Sequence, residues 1–188
     1  QTKGIHMSNV QPRGADAPPL PDLPASVYLK VQEQHQRESE WCWAATTSSI
    51  TNFYTYESPW TQCMLANRTF GQVNCCMDGG LSACNQPGYP DRSLTMTGHF
   101  ATIVNGKPSL GTLMFELAAG RPVSIAIHWT SGRGDHNPAV IGYDNSNPDA
   151  PTIDIADPLY GLSTCDFHTF PEFYQGGANW LRSYLTHP

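Results

Sequence analysis

The pattern of this chain changes at Gly120-Arg121-Pro122, and that change limits the folds open to it. Ahead of the break lie segments with helical spacing. Behind it come short apolar runs of β-branched residues. The run Cys42–Tyr54 holds neither Gly nor Pro, and its bulky residues Trp43, Ile50 and Tyr54 recur near helical spacing. Its hydroxyl and β-branched residues make it a mediocre helix by propensity, so tertiary burial has to stabilise it. Thr61–Phe70 reads as a second helix, Cys75–Pro90 as a Gly/Pro-rich loop, and Leu110–Ala119 as a third helix. After the break, Val123–Trp129, Ala139–Asp144 and Thr152–Ala156 read as strands. Helices first and strands later is an α+β order, in which two groups of elements pack face to face.

A chain of 188 residues with 39% hydrophobic residues suits one domain with a sizeable core. Residues 1–26 stand apart from it. His6-Met7 reads as a cloning remnant, and Pro12, Pro18, Pro19, Pro21 and Pro24 mark a semi-extended arm. No cleavable signal peptide follows Met7. Residues 27–188 are expected to form the single folded domain. With 10 basic against 16 acidic residues, the net charge of −6 argues against nucleic acid or an anionic membrane as partner. No apolar run approaches the roughly 18 residues of a membrane span.

Four of the six cysteines, Cys63, Cys75, Cys76 and Cys84, fall within one short stretch around a loop. That clustering points to two local disulfides and an oxidising destination. Adjacent cysteines fit disulfide geometry poorly, so Cys75 and Cys76 should each bridge elsewhere, one to Cys63 and the other to Cys84. Cys165 is then left free. A zinc site is the alternative, but no Cys-x2-Cys pair supports it, and no cofactor or metal is expected.

The remaining cysteine, Cys42, opens the first helix and follows Gln36 by six residues. A thiol is a weak nucleophile until it loses its proton, and its free pKa of about 8.5 leaves little thiolate at neutral pH. A nearby imidazolium and the positive end of a helix dipole both lower that value. His136 and Asp157 lie downstream, each beside an apolar strand. Gln, Cys, His and an acid, in that order, supply an oxyanion donor, a nucleophile, its base and the base's orienter. His128 at the end of Val123–Trp129 rivals His136, and Asp144 and Asp154 rival Asp157. Asp154 alternates with Ile153 and Ile155 and so faces away from them. A free cysteine is more often a buried small hydrophobe, and it is the company of Gln36, His136 and Asp157 that favours chemistry here.

These residues carry a resemblance. Gln36-x5-Cys42-Trp43-Ala44 resembles the nucleophile segment of the papain-like cysteine peptidases, and His136-x5-Gly142-Tyr143 their histidine strand. Asp157-Pro158 is similar to the acid segment of the compact bacterial members, including secreted effector proteases of plant pathogens. Thr61–Asn67 resembles the second helix of those forms, and the Cys75-Cys76 pair after it shares the likeness. The resemblance implies a helical half packed against an antiparallel sheet half, with a cleft between them. It further implies Cys42 as nucleophile, His136 as general acid/base, Asp157 as orienter, and Gln36 sharing the oxyanion hole with the Cys42 backbone N–H. Departures are visible too. Ser39 stands where the plant enzymes have a disulfide cysteine, an acid stands where many members have Asn, and Pro138 lacks the N–H a paired strand needs.

The expected activity is hydrolysis of a protein or peptide substrate, such as a host or competitor protein, by a monomer that is secreted or delivered into a target cell. The same residues can deamidate glutamine or transfer its acyl group to an amine, and an inactive binding module would keep the same fold. Arg133-Gly134-Asp135 is an integrin-type tripeptide whose expected role is loop flexibility near His136. Asn67-Arg68-Thr69 is a glycosylation sequon only under eukaryotic secretion.

Overall fold

The structure, a computed structural model, describes residues 22–188. Most of the expected proline arm, including Pro12, Pro18, Pro19 and Pro21, lies outside the described residues, as does the His6-Met7 remnant. The described chain runs β1 (Ser26–Tyr28), α1 (Cys42–Tyr54), α2 (Gln62–Phe70), α3 (Pro90–Thr97), β2 (Phe100–Asn105) and α4 (Leu110–Ala118). It continues through β3 (Val123–Trp129), β4 (Asp135–His136), β5 (Ala139–Asp144), β6 (Thr152–Asp157), β7 (Gly161–Asp166), a 3-10 turn at Tyr174–Gly176 and β8 (Ala178–Thr186).

The strands form one antiparallel sheet in the order β2-β8-β3-β5-β6-β7, with β1 on β5 and β4 on β3. Ser26 pairs with Asp144, and the Tyr143 hydroxyl donates to the Pro24 carbonyl, so the folded domain takes in residues just ahead of position 27. Pro138 interrupts what would otherwise be one strand beside β3. His136 pairs with Ile127 before the proline, Ala139 pairs with Ser124 after it, and Ile125 N–H donates to the Pro138 carbonyl. The proline thus gives up its donor position but keeps its acceptor.

Both faces of the sheet are covered, which is why Val123–Trp129 reads as a nearly unbroken apolar run. Val123, Ile125, Ile127 and Trp129 pack with Leu113 and Leu117 of α4. Ala126, Ala139, Ile141 and Ala156 turn the other way, toward Ile50 of α1 and Leu94 of α3. A third cluster of Trp41, Trp43, Leu65, Ala66, Cys75 and Cys84 fills the helical wall.

Helix α1 is buried from Cys42 through Thr51 despite its polar composition. Four of its buried hydroxyls find partners, as burial of polar groups demands, while Thr51 Oγ1 is buried with none among the described residues. Thr46 donates to the Asn137 carbonyl, Thr47 shares a hydrogen bond with Ser93, Ser48 donates to the Trp60 carbonyl, and Ser49 donates to Ala45 and accepts from Gln34 N–H. The weak intrinsic propensity is offset by these partners and by packing on two sides. Thr61 caps α2 by accepting from Met64 N–H.

Sequence reading missed β1, α3, β2, β4, β7 and β8. It also placed its third helix, now α4, in the helical wall, whereas α4 packs on the far face of the sheet. Both expected disulfides are present, as Cys63–Cys76 and Cys75–Cys84, leaving Cys42 and Cys165 free. The bridges consume the four thiols a zinc site would need. Both lie in the helical wall, and the Cys84 carbonyl accepts from the Trp41 indole N–H at 2.8 Å.

Candidate active site

Cys42 is the first residue of α1, so its backbone N–H has no acceptor within the helix, and the dipole's positive end lies at the thiol. The tryptophans on either side hold this end in place. Trp41 donates to the Cys84 carbonyl and Trp43 to the Gln86 carbonyl, both from the disulfide-linked loop. Gly88 lets that loop lie flat on Trp43, since a Cβ there would sit 2.4 Å from the indole.

His136 comes from the sheet side, on β4, and Asp157 ends β6. The imidazole Nε2 meets Asp157 Oδ1 at 2.7 Å, and the ring's other nitrogen is left for Cys42. All three groups are withdrawn from solvent, with Cys42 at 9%, His136 at 3% and Asp157 at 0% exposure. Burial alone would lower the proton affinity of His136. Hydrogen bonds to Asp157 and Cys42, with their charge, outweigh it and push the imidazole pKa up to about 9. Burial acts on Asp157 in the opposite sense, yet His136 together with the Leu159 N–H and the Tyr174 hydroxyl holds its carboxyl below the usual range. An imidazole with that proton affinity stays protonated at neutral pH and is suited to sit beside a thiolate.

Gln36 is brought to the same place by its backbone, whose N–H donates to the Pro158 carbonyl beside Asp157 at 2.8 Å. Its side chain is turned toward its own loop. Nε2 donates to the carbonyls of Glu38 and Ser39, and Oε1 is buried with no partner among the described residues. In this arrangement both amide hydrogens are taken. Ser39, at the position of the absent disulfide cysteine, accepts on its hydroxyl from Asn85 and so ties the same two loops by hydrogen bonds.

The rivals are elsewhere. His128 is exposed and pairs with Asp135 at 2.6 Å; His99 is bound to the His187 carbonyl. Asp144 accepts from Ser146 N–H, and Asp154 from the Thr164 hydroxyl. The Arg133-Gly134-Asp135 tripeptide is tied up locally, with Arg133 lying 4.6 Å from the Trp129 ring and donating to the Tyr160 hydroxyl.

Sequence reading missed several neighbours. Trp129 stacks on His136 at 5.4 Å and Tyr160 meets it edge-on at 6.4 Å, so the imidazole lies in an aromatic wall. Asn137 places Oδ1 3.6 Å from the Cys42 sulfur, its orientation fixed by Nδ2 donating to the Ile125 carbonyl. Tyr174 donates to Asp157 Oδ2 at 2.8 Å. Trp129 and Asn137 adjoin residues already singled out; Tyr174 carried no local signal. A cleft of about 440 Å³ opens beside Cys42, between Trp43, Gly88 and Tyr89 on the helical wall and Ala126, Asn137 and Tyr184 on the sheet.

A thiol at a helix start, a buried imidazole and a carboxylate across a two-walled cleft define a class of thiol hydrolase, and comparison with known proteins gives the family. The family described as papain-like cysteine protease AvrRpt2 matches residues 25–175, and the chain belongs to it. It is a cysteine peptidase with a papain-like α+β fold. Among solved structures it is similar to xylellain, a cysteine protease from Xylella fastidiosa. That likeness has 14% identity and a TM-score of 0.52 over 88% of this chain and 87% of the other. A double-glycine-motif protease from an AMS/PCAT transporter, solved with its leader peptide, matches at 16% identity. Its TM-score is 0.46, over 86% of this chain and 95% of that one. No curated protein sequence matches the chain significantly.

Proposed function

We propose that this peptidase cleaves peptide bonds in protein substrates through Cys42, with His136 as general acid/base and Asp157 as its orienter. The observation that carries the reading is His136 itself, held between the Cys42 thiol and a fully buried carboxylate. With the imidazole protonated, Cys42 attacks the scissile carbonyl as thiolate and the carbonyl oxygen gathers negative charge. The Cys42 backbone N–H at the start of α1 faces that charge. Gln36 supplies a second donor once its amide exchanges the Glu38 or Ser39 carbonyl for the oxyanion. His136 then gives its proton to the leaving amine, and the acyl-enzyme forms. Water, deprotonated by His136, releases the acid and restores the pair. Asp157 stays ionised throughout and holds the ring by Nε2, leaving the other nitrogen to face sulfur.

The two disulfides support folding in an oxidising space. With the family assignment, they favour a secreted or delivered protease acting on a host or competitor protein.

An irreversible thiol-protease epoxide, applied near neutral pH and followed by mass spectrometry, tests the site. Stoichiometric adduct at Cys42, lost in His136→Ala, is the expected result. Labelling spread over Cys42 and Cys165 alike, or unaffected by His136→Ala, overturns the assignment. With a protein substrate, new chain ends are expected; a mass change at an intact glutamine would instead mean side-chain amide chemistry.

A further inference from the structure

The two oxygens of Asp157 have divided roles. Oδ1 receives His136 Nε2 at 2.7 Å, Leu159 N–H at 2.7 Å and Tyr160 N–H at 3.1 Å. Oδ2 receives the Tyr174 hydroxyl at 2.8 Å and no other hydrogen bond from the described residues. Asp157 is 0% exposed, so Tyr174 stands where solvent would otherwise solvate half of the carboxylate.

We propose that Tyr174 is a positioning residue for the peptidase reaction: by occupying Oδ2 it keeps Oδ1 aimed at His136. The inference rests on the reading of Cys42, His136 and Asp157 given above. Tyr174 is itself well held for this purpose. Its ring packs on Phe170 at 5.1 Å, lies nearly parallel to Trp129 at 6.3 Å and meets Tyr160 edge-on. Its backbone N–H donates to the Pro171 carbonyl. Trp129 and Tyr160 also touch His136, so one aromatic group sets both the ring of the base and the hydroxyl that fixes its orienter.

A phenol donating to a carboxylate stabilises the charged form. Burial and the adjacent Asp157 charge push the Tyr174 hydroxyl's own pKa upward, so it remains a donor across the working range. Other ionisable groups face this pair. His136 lies against Asp157, with Cys42 beyond it. Glu33 approaches Asp157 from the segment ahead of α1. Cys165 of β7 approaches Tyr174, and Tyr160 and Arg133 close the outer side. Among them, the side chains of His136 and Tyr174 are the ones that hydrogen-bond the carboxylate.

Tyr174→Phe removes the hydroxyl and keeps the ring. Its readout is the rate of Cys42 alkylation by the epoxide as a function of pH, on the full chain, with adducts located by mass spectrometry. The acid limb of the profile is expected to move up by about one pH unit, the effect of one lost hydrogen bond to a carboxylate. Phe167→Leu thins the same core cluster away from the Tyr174 ring; it should lower Tm and leave the acid limb in place. An unmoved acid limb in folded Tyr174→Phe overturns the proposal, as does an equal shift in Phe167→Leu. If Tyr174→Phe does not fold, proton NMR of the native protein decides. A tyrosine hydroxyl proton protected from exchange near neutral pH supports the role, and its absence overturns it. Failure of the underlying reading looks different, because wild-type protein would then show no selective adduct at Cys42.

Discussion

Replacing Asp157 by Asn should change how the stability of this protein depends on pH. In the folded chain the His136 imidazole is raised from 6.5 to about 9, with Asp157 and Cys42 as the favourable causes. Below pH 6.5 the imidazole is protonated in both folded and unfolded chains, and the contribution of the pair is whole. Between 6.5 and about 9 the unfolded chain gives up the His136 proton that the folded chain keeps, so this group's contribution falls as pH rises. A folded-state Cys42 thiolate contributes in the opposite sense. Cys42→Ala removes that second ionisation and leaves the first to be read. At ~1.4 kcal/mol per pH unit, the histidine's loss across that window is at most about 3 kcal/mol. Asp157 sets the other edge: its carboxyl is lowered from 3.8, so its contribution is present above that value and disappears as pH falls through the folded-state value. For a domain of this size, ~3 kcal/mol corresponds to a Tm lower by roughly 6–12 °C at the alkaline end of the window. Melts followed by circular dichroism across the window, for Cys42→Ala with and without Asp157→Asn, measure the difference. The double variant should be less stable near pH 6 and should lack most of the alkaline decline. A Tm that is flat across the window in Cys42→Ala refutes the reasoning, as does the same slope once Asp157→Asn is added.

Other consequences can be measured directly. Cys63 and Cys76 close a loop over a sequence separation of 13, and replacing both with Ala should cost about 3 kcal/mol in urea unfolding, with slightly less for Cys75–Cys84 at a separation of 9. Gly142→Ala would place a Cβ 2.5 Å from Asp154 Oδ2 and 2.8 Å from the Val27 carbonyl. It should destabilise by about 1–3 kcal/mol and raise amide exchange in β1 most of all. Gln36→Ala should lower turnover by ~10²–10³ with little change in Tm, which steady-state kinetics and a melt together would show.

The parts of the fold legible in the sequence are those whose signal is local. Helix α1 could be read from a Gly- and Pro-free run, and β3 from an apolar run that is buried on both faces. The disulfides followed from four cysteines crowded around one loop, although which of Cys75 and Cys76 goes to which partner is decided by the path of that loop. Helix α3 was readable in principle, because Pro90 occupies its first turn and Gly98 ends it in the left-handed region. Strands β7 and β8 were not. Leu162 is exposed in β7, and β8 mixes exposed Asn179, Leu181 and Arg182 with buried Ser183 and Tyr184, so neither shows clean alternation. At the site, Cys42, His136 and Asp157 were singled out through neighbouring residues. The turned amide of Gln36 depends on two carbonyls in its own loop, which residue order does not reveal. Tyr174 reaches Asp157 from 17 positions along the chain, through a turn set by Phe170 and Pro171, and the residues around it carry no mark of that role.

Both covalent crosslinks fall on one side of the cleft. Cys42 rides on a wall clamped by Cys63–Cys76 and Cys75–Cys84, while His136 rides on a wall held by a sheet ladder and the apolar side chains packed on it. The two proposed partners therefore draw their stiffness from different sources, one sensitive to electron donors and one indifferent to them. Glutathione acting on this protein would loosen the wall that carries Cys42 and leave the one that carries His136 in place. Because the Trp41 indole hangs from the Cys84 carbonyl, the damage would be visible as a change in tryptophan emission before the sheet gave way.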